Sequence, residues 1–314
     1  MEYRNLGRSG LQVSVIGLGC NNFGRRTDLE STRAVVNKAL DLGINLLDTA
    51  DVYGGAGMSE QFLGQVLEGR RHEVVLATKF AMKMGDGPMK SGGSRRYIMA
   101  AVEDSLRRLH TDYIDLYQMH SPDPKTPIDE TLRALDDLVT QGKVRYIGHS
   151  NFAGWQTAEA HFVAEKLGAN PFVSAQNEYN LLNRRIERDL VPATNAYGLS
   201  ILPFFPLASG FLTGKYRQDA PLPEGARLSS AAAAPMANGI LTPKNYETLG
   251  KLEAFAQARG KATIELAFGW LTSQPFVASV IAGATKPEQV EQNVACGAWR
   301  LTAEEMAEVD TITK

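Results

Sequence analysis

Asp48, Tyr53, Lys79 and His120 are the residues whose types and positions in this chain could carry chemistry. Asp48 closes the run Leu46-Leu47-Asp48, and Tyr53 follows it five residues later; Lys79 closes the run that starts at Glu73, and His120 follows the run Tyr113 to Met119. A carboxylate, a phenol, an ammonium and an imidazole at one mouth could hold and pass a proton on a bound substrate. Each alone has a plainer reading. An aspartate at a strand end caps the next helix, a lysine or tyrosine there meets solvent, and a histidine after an apolar strand sits satisfied in the core, as His149 and His161 are read. Compatible residues at three strand ends favour chemistry.

The elements that must position them are legible as a repeat. Short β-branched or apolar runs recur about every thirty residues, each followed by a stretch of helical periodicity. The expected strands are Val15 to Gly19, Asn45 to Asp48, Glu73 to Lys79, Tyr113 to Met119, Val144 to His149, Phe172 to Gln176, Ser200 to Phe204 and Ala278 to Ala282. Nearly all are apolar throughout, as strands covered on both faces must be. Helices are expected over Glu30 to Leu42, Ser59 to Leu67, Ser94 to Leu109, Ile128 to Gln141, Trp155 to Leu167 and Glu187 to Tyr197, with Ser59 as a cap and Gly43, Gly142 and Gly168 just past C-termini. Gly7-Arg8-Ser9-Gly10, between two short runs, predicts a β-hairpin on the barrel floor. After the last strand come helices over Pro287 to Cys296 and Ala303 to Ile312. The expectation is an α/β chain, one (β/α)8 TIM barrel domain over residues 1–314 with an N-terminal hairpin and additional C-terminal helices. Two long irregular segments, Ala81 to Gly93 and Leu207 to Pro243 with its Ala231 to Ala234 run, are where loops of function belong.

Composition narrows the functions. A net charge of -2 with interspersed signs offers no footprint for nucleic acid. No apolar run reaches membrane-spanning length, and the start lacks a secretory apolar region, so a cytoplasmic protein without a membrane partner is expected. Cys20 and Cys296 read as free thiols, and the scattered histidines lack metal-ligand spacing, so no metal is expected.

At Asp48-Thr49-Ala50-Asp51-Val52-Tyr53-Gly54, Ala77-Thr78-Lys79, Met119-His120-Ser121-Pro122-Asp123, Gly148-His149-Ser150-Asn151-Phe152, Gln176-Asn177-Glu178-Tyr179-Asn180 and Gly210-Phe211-Leu212-Thr213-Gly214-Lys215-Tyr216, the chain resembles the aldo-keto reductase family, from the hairpin to the last helices. The resemblance implies a catalytic tetrad of Asp48, Tyr53, Lys79 and His120. Tyr53 would protonate a carbonyl oxygen as hydride arrives from the nicotinamide, Lys79 would lower the phenol's pKa, Asp48 would hold the ammonium, and His120 would orient the carbonyl.

The same resemblance implies the cofactor residues. Gly17-Leu18-Gly19 lacks the third glycine of a dinucleotide fingerprint, so no Rossmann domain is expected. Gly19 and Cys20 would approach the nicotinamide ribose; Ser150, Asn151 and Gln176 would bind the carboxamide; and Phe204, where the family usually has tyrosine, would stack on the ring. Leu207, Ser209, Gly210, Leu212, Gly214 and Lys215 would fold over the pyrophosphate. Lys286, Gln289, Gln292 and Asn293 match the stretch that holds the adenosine 2'-phosphate. Gln289 stands where many members have arginine, and Gly283 where they have lysine. The implied cofactor is therefore NADPH/NADP+, with NADH possible.

The expected activity is reversible NAD(P)H-dependent reduction of small aldehydes or ketones to alcohols. Phe23, Tyr53, Phe80, Met82 and Phe152 would form an apolar pocket mouth, core packing being their other reading. The short C-terminus leaves little chain for an added lid, so an open site is expected. The alternatives are a cofactor-binding regulatory subunit of the same fold with little turnover and, from fold analogy, a phosphosugar isomerase or lyase.

Overall fold

A computed structural model describes the backbone of residues 1–314 and every side chain but that of Ala231. The chain opens with the antiparallel pair β1 (Tyr3–Asn5) and β2 (Gln12–Ser14), with Tyr3 opposite Ser14. Eight parallel strands follow: β3 (Ile16–Gly19), β4 (Leu46–Asp48), β5 (Val75–Phe80), β6 (Ile114–Met119), β7 (Val144–Ser150), β8 (Ser174–Gln176), β9 (Ser200–Ile201) and β10 (Val280–Gly283). They pair in chain order, and β10 returns to β3 with Val280 opposite Ile16. The last seam closes through the bridge Ile201 to Val277 and through Ile281 N–H, which donates to Pro203 O at 2.9 Å. The fold is a (β/α)8 barrel.

Helices α1 (Leu29–Asp41), α2 (Tyr53–Ala56), α3 (Met58–Val66), α4 (Arg95–Leu109), α5 (Ile128–Thr140), α6 (Gly154–Leu167) and α7 (Leu190–Tyr197) fill the early crossovers. Then come α8 (Ala234–Ile240), α9 (Pro243–Gln257), α10 (Thr263–Ser273), α11 (Pro287–Cys296) and α12 (Ala303–Thr313). No described helix is long and apolar enough to cross a membrane.

Alternation along the strands sorts the side chains into two cores. Leu46, Val75, Ala77, Leu116, Leu202 and Ile281 fill the barrel interior, where Leu6 and Val13 of the hairpin join them as a plug. Leu47, Leu76 and Tyr117, one residue out of phase, face the helices. Arg4 fastens the hairpin to the barrel floor, donating to the carbonyls of Thr272 at 2.6 Å and Val277 at 2.7 Å.

All eight expected strands form, most with ends moved by one or two residues. The run expected over Ser200 to Phe204 makes a two-residue strand, because Pro203 has no N–H to extend the ladder. Ser59 does not cap α3: it lies inside the helix, paired with Thr49 Oγ1 at 2.9 Å and donating to Cys20 O at 2.9 Å. The start at Met58 is instead set by Gly57, at φ 95°. Four helices, α2, α8, α9 and α10, have no counterpart among the expected helices, and α8 falls within the segment expected to be irregular.

Candidate active site

The alternation that fills the interior also aims the polar strand ends. Asp48 is two residues past Leu46, Lys79 two past Ala77, and His120 four past Leu116, so each inherits the inward phase. Gln118, between Leu116 and His120, shares it, as do Ser150 and Gln176 on neighbouring strands, which pair directly. Tyr53 arrives differently. Its N–H donates to Ala50 O at 3.1 Å, and the chain reverses at Gly54, φ 75°, where a Cβ would meet Phe23 O at 2.6 Å.

Lys79, wholly buried, is the hub. Its Nζ donates to Asp48 Oδ2 at 2.7 Å, to Thr49 O at 2.8 Å and to Tyr53 Oη at 3.4 Å. Asp48 spends its other oxygen on two amides, Gln176 Nε2 at 2.8 Å and Gln118 Nε2 at 3.1 Å. The ion pair is thus fully hydrogen-bonded, as a buried pair must be to offset desolvation. The ring of His120 stands edge-on to that of Tyr53, centroids 5.7 Å apart, and its Nδ1 has no partner in the protein.

Burial opposes ionisation here. Desolvation, with Asp48 beside it, raises the Tyr53 phenol above its ordinary 10.0 against the opposing charge and hydrogen bond of Lys79. This corrects the expectation of a net lowered value: the lysine moderates a rise rather than producing a fall. Desolvation first, then Lys79, push His120 down to about 3, so its ring is neutral at physiological pH. The Lys79 ammonium is held above its ordinary value by Asp48 and Tyr53 against burial.

From this floor a groove of about 540 Å³ runs outward. The structure brings Gly19, Cys20, Asp48, Tyr53, His120, Ser150, Asn151, Gln176, Phe204, Leu207, Ser209, Gly210, Lys215, Gln289, Gln292 and Asn293 onto its walls. Lys79 lies beneath the floor. Leu212 is fully buried in the core and Gly214 is off the wall, so neither faces the groove; Lys286 is exposed outside it, at the N-cap of α11. Gln289 already accepts from Thr285 N–H at 2.7 Å. Phe23, Phe80 and Phe152 are buried core residues and do not form a pocket mouth. His149, stacked on Phe152 and bonded to Thr157, is a core histidine as expected.

Sequence reasoning missed several wall residues. Asn21, Asn22, Arg26, Phe205, Arg227 and Thr285 line the groove, and Gln118 supports Asp48 from below. Gln118 had a signal, a polar residue in an apolar strand in phase with His120. Arg26 and Arg227 had none, since they lie some two hundred positions apart in irregular loops.

A dinucleotide is the group this wall fits. Side-chain amides and hydroxyls stand at the barrel mouth, an aromatic face at Phe204, the cations Arg26, Lys215 and Arg227 beyond it, and the start of α11 at the far end. Burial, then the charge of Arg26, lowers Lys215, and burial with Arg26 and Arg25 lowers Arg227.

Comparison with known proteins agrees with this fold. A family model described as "Aldo/keto reductase family" matches residues 15–314, and the chain belongs to that family of oxidoreductases, which reduce carbonyl compounds with nicotinamide cofactors. It is 37% identical to a probable voltage-gated potassium channel subunit beta of Oryza sativa subsp. japonica, over 94% of this chain and 90% of that one. It is 35% identical to the L-glyceraldehyde 3-phosphate reductase of Escherichia coli (strain K12), over 99% and 92%, and 35% identical to the aldo-keto reductase YhdN of Bacillus subtilis (strain 168), over 99% and 93%.

Proposed function

We propose that this protein is a cytoplasmic, NADPH-preferring reductase of small aldehydes and ketones, with Tyr53 as the proton donor. The observation that carries the reading is the Lys79 ammonium, wholly buried and shared between Asp48 at 2.7 Å and Tyr53 at 3.4 Å on the floor of the groove. Ser150, Asn151, Gln176 and Phe204 would hold a reduced nicotinamide, which when bound would supply the hydride.

Tyr53 Oη gives its proton to the carbonyl oxygen, completing the alcohol. A phenol above its ordinary range is protonated at neutral pH, which is the form that can donate. The phenolate left behind faces the Lys79 ammonium, whose attraction strengthens in this dry site. Asp48, anchored by Gln118 and Gln176, keeps that ammonium charged and in place. Neutral His120, its ring edge-on to that of Tyr53, has a ring N–H to offer the carbonyl oxygen as a hydrogen-bond donor. Run backwards, the same groups oxidise an alcohol.

Preference for NADPH rests on Lys286, an exposed cation just outside the groove at the N-cap of α11, suited to the additional phosphate. Two buried thiols, Cys20 and Cys296, suit a reducing compartment such as the cytoplasm. The test is turnover. Purified protein should oxidise NADPH when an aldehyde is added, with kcat/KM for NADPH at least about tenfold above that for NADH, one charge-assisted hydrogen bond in size. Cofactor binding without turnover would favour the regulatory-subunit reading, which the likeness to the rice channel subunit motivates. Equal kcat/KM for the two cofactors would remove the NADPH preference.

A further inference from the structure

A second cavity, of about 890 Å³, adjoins the groove and shares Tyr53, Asn21, Asn22, Arg26 and Arg227 with it. Its own walls add Arg25 and small residues, among them Gly55, Ser229, Ser230 and Ala233. This chamber therefore meets the groove at Tyr53 and is separate from Phe204, Lys215 and the start of α11, which face only the groove.

Three arginines meet there, and none of Arg25, Arg26 and Arg227 has a carboxylate within 4.0 Å among the described residues. Arg227 is held over the Phe205 ring at 4.7 Å, and Arg26 donates to Gly225 O at 2.9 Å. Both guanidinium groups are thereby positioned, with donors to spare. Arg25 and Arg26 each disfavour the charge on Arg227, so the three repel one another. Like charges gathered in a concave wall with no internal counter-ion form a field for an external anion. The fork of a guanidinium fits phosphate and carboxylate oxygens in particular. The small side chains on the other walls leave room for the rest of such a molecule.

We propose that this chamber binds the anionic group, a phosphate ester or a carboxylate, of the carbonyl substrate, with Arg25 as its own ligand and Arg26 and Arg227 at the boundary with the groove. The inference rests on the carbonyl-reductase reading and adds the substrate class: the carbonyl lies at Tyr53 Oη, and the charged end points away from the barrel axis.

The test uses three aldehydes on one ring, benzaldehyde, 4-carboxybenzaldehyde and 4-formylphenyl phosphate, with saturating NADPH. The intact protein should show a KM at least about tenfold lower for one or both charged compounds, the size of one charge-assisted hydrogen bond. A gain for the phosphate alone identifies a phosphate ester, and a gain for both identifies charge as the criterion. Arg25→Ala, which lies outside the groove, should raise KM for the charged compounds about tenfold while KM and kcat for benzaldehyde stay within twofold. The Kd for NADPH, read from quenching of protein fluorescence, should stay within twofold as well. Equal KM values for all three aldehydes in the intact protein overturn the proposal. So does a Kd for NADPH that rises as far as KM in Arg25→Ala, since the arginines would then serve the cofactor. If no aldehyde is turned over, it is the reductase reading that fails. The chamber is then judged by calorimetry with 4-carboxybenzyl alcohol against benzyl alcohol: binding of the acid alone, lost in Arg25→Ala, upholds the site, and no binding overturns it.

Discussion

Burial favours the uncharged forms of both Tyr53 and His120, and in the proposed reaction this sets the pH dependence. The Tyr53 phenol lies above its ordinary 10.0, so its proton is present throughout the neutral range. His120, at about 3, does not titrate near its ordinary 6.5. The kcat/KM for aldehyde reduction should therefore lack a histidine limb near pH 6.5 and decline only above about pH 10. A fall by half between pH 6 and 7, with the fall absent in His120→Asn, would contradict the neutral-histidine assignment. Tyr53→Phe keeps the ring and its packing but removes the proton, so kcat should drop at least about a hundredfold, the scale of lost general-acid catalysis, while the Kd for NADPH holds within twofold. Asp51 behaves differently. Its buried Oδ1 has no partner, and desolvation, with Glu60 nearby, raises its carboxyl from 3.8 to about 7. A raised carboxyl stabilises the fold fully below 3.8, and that contribution declines as pH rises towards 7. Asp51→Asn should thus leave the urea midpoint near that of the parent at pH 4 and raise it at pH 8. A gain that is equal at both pH values would mean that ionisation at this position is not what limits stability.

The loop that carries Tyr53 is anchored by how closely α3 packs on α4. A Cβ at Gly64 would stand 2.5 Å from the carbonyl oxygen of Arg108, a backbone atom that cannot swing aside. Nearby, Glu60 ties the two helices to the barrel, accepting from Arg108 Nε at 2.7 Å and from Thr78 Oγ1 at 2.5 Å. Gly64→Ala should therefore destabilise the protein by about 1–3 kcal/mol, the scale of overpacking in a tight interface, as measured by chemical denaturation. It should also lower kcat, because α3 follows Tyr53 by only a few residues. At this scale the sequence was legible wherever a strand or helix met a single rule. Strands covered on both faces read as apolar runs, and α4 carries its Ser94 cap, which accepts from Tyr97 N–H at 3.4 Å. The helix α10 escaped because eight of its eleven residues, Thr263, Leu266, Ala267, Phe268, Gly269, Trp270, Leu271 and Thr272, are buried, leaving no polar stripe to mark its period. The Ser59 cap failed because its hydroxyl serves Thr49 and Cys20 instead, a tertiary demand that local pattern does not show.

Across the whole molecule, the residues that could be read were those at strand ends, because barrel topology decides in advance where strand ends point. Asp48, Lys79 and His120 share an inward phase that alternation alone predicts. The arginines of the side chamber could not be read, since Arg25 and Arg227 meet only through the closing of the ring between β3 and β10. That closure also determines how a dinucleotide acts on stability. Its wall draws on β3 and β4 at one end of the chain and on α11 at the other, so ligand contacts would join segments more than two hundred positions apart. Binding to the folded form alone adds RT ln(1 + [L]/Kd), about 2.7 kcal/mol at a hundredfold excess over Kd. With an unfolding entropy of roughly 2.1 cal/mol/K per residue, a chain of 314 residues should gain about 4 °C in Tm. NADPH should produce this rise at a lower concentration than NADH if Lys286 contributes an ionic contact, and Lys286→Ala should bring the two titrations together. Tm curves that coincide for the two cofactors in the parent protein would remove Lys286 from the site, and no shift with either would remove the dinucleotide itself.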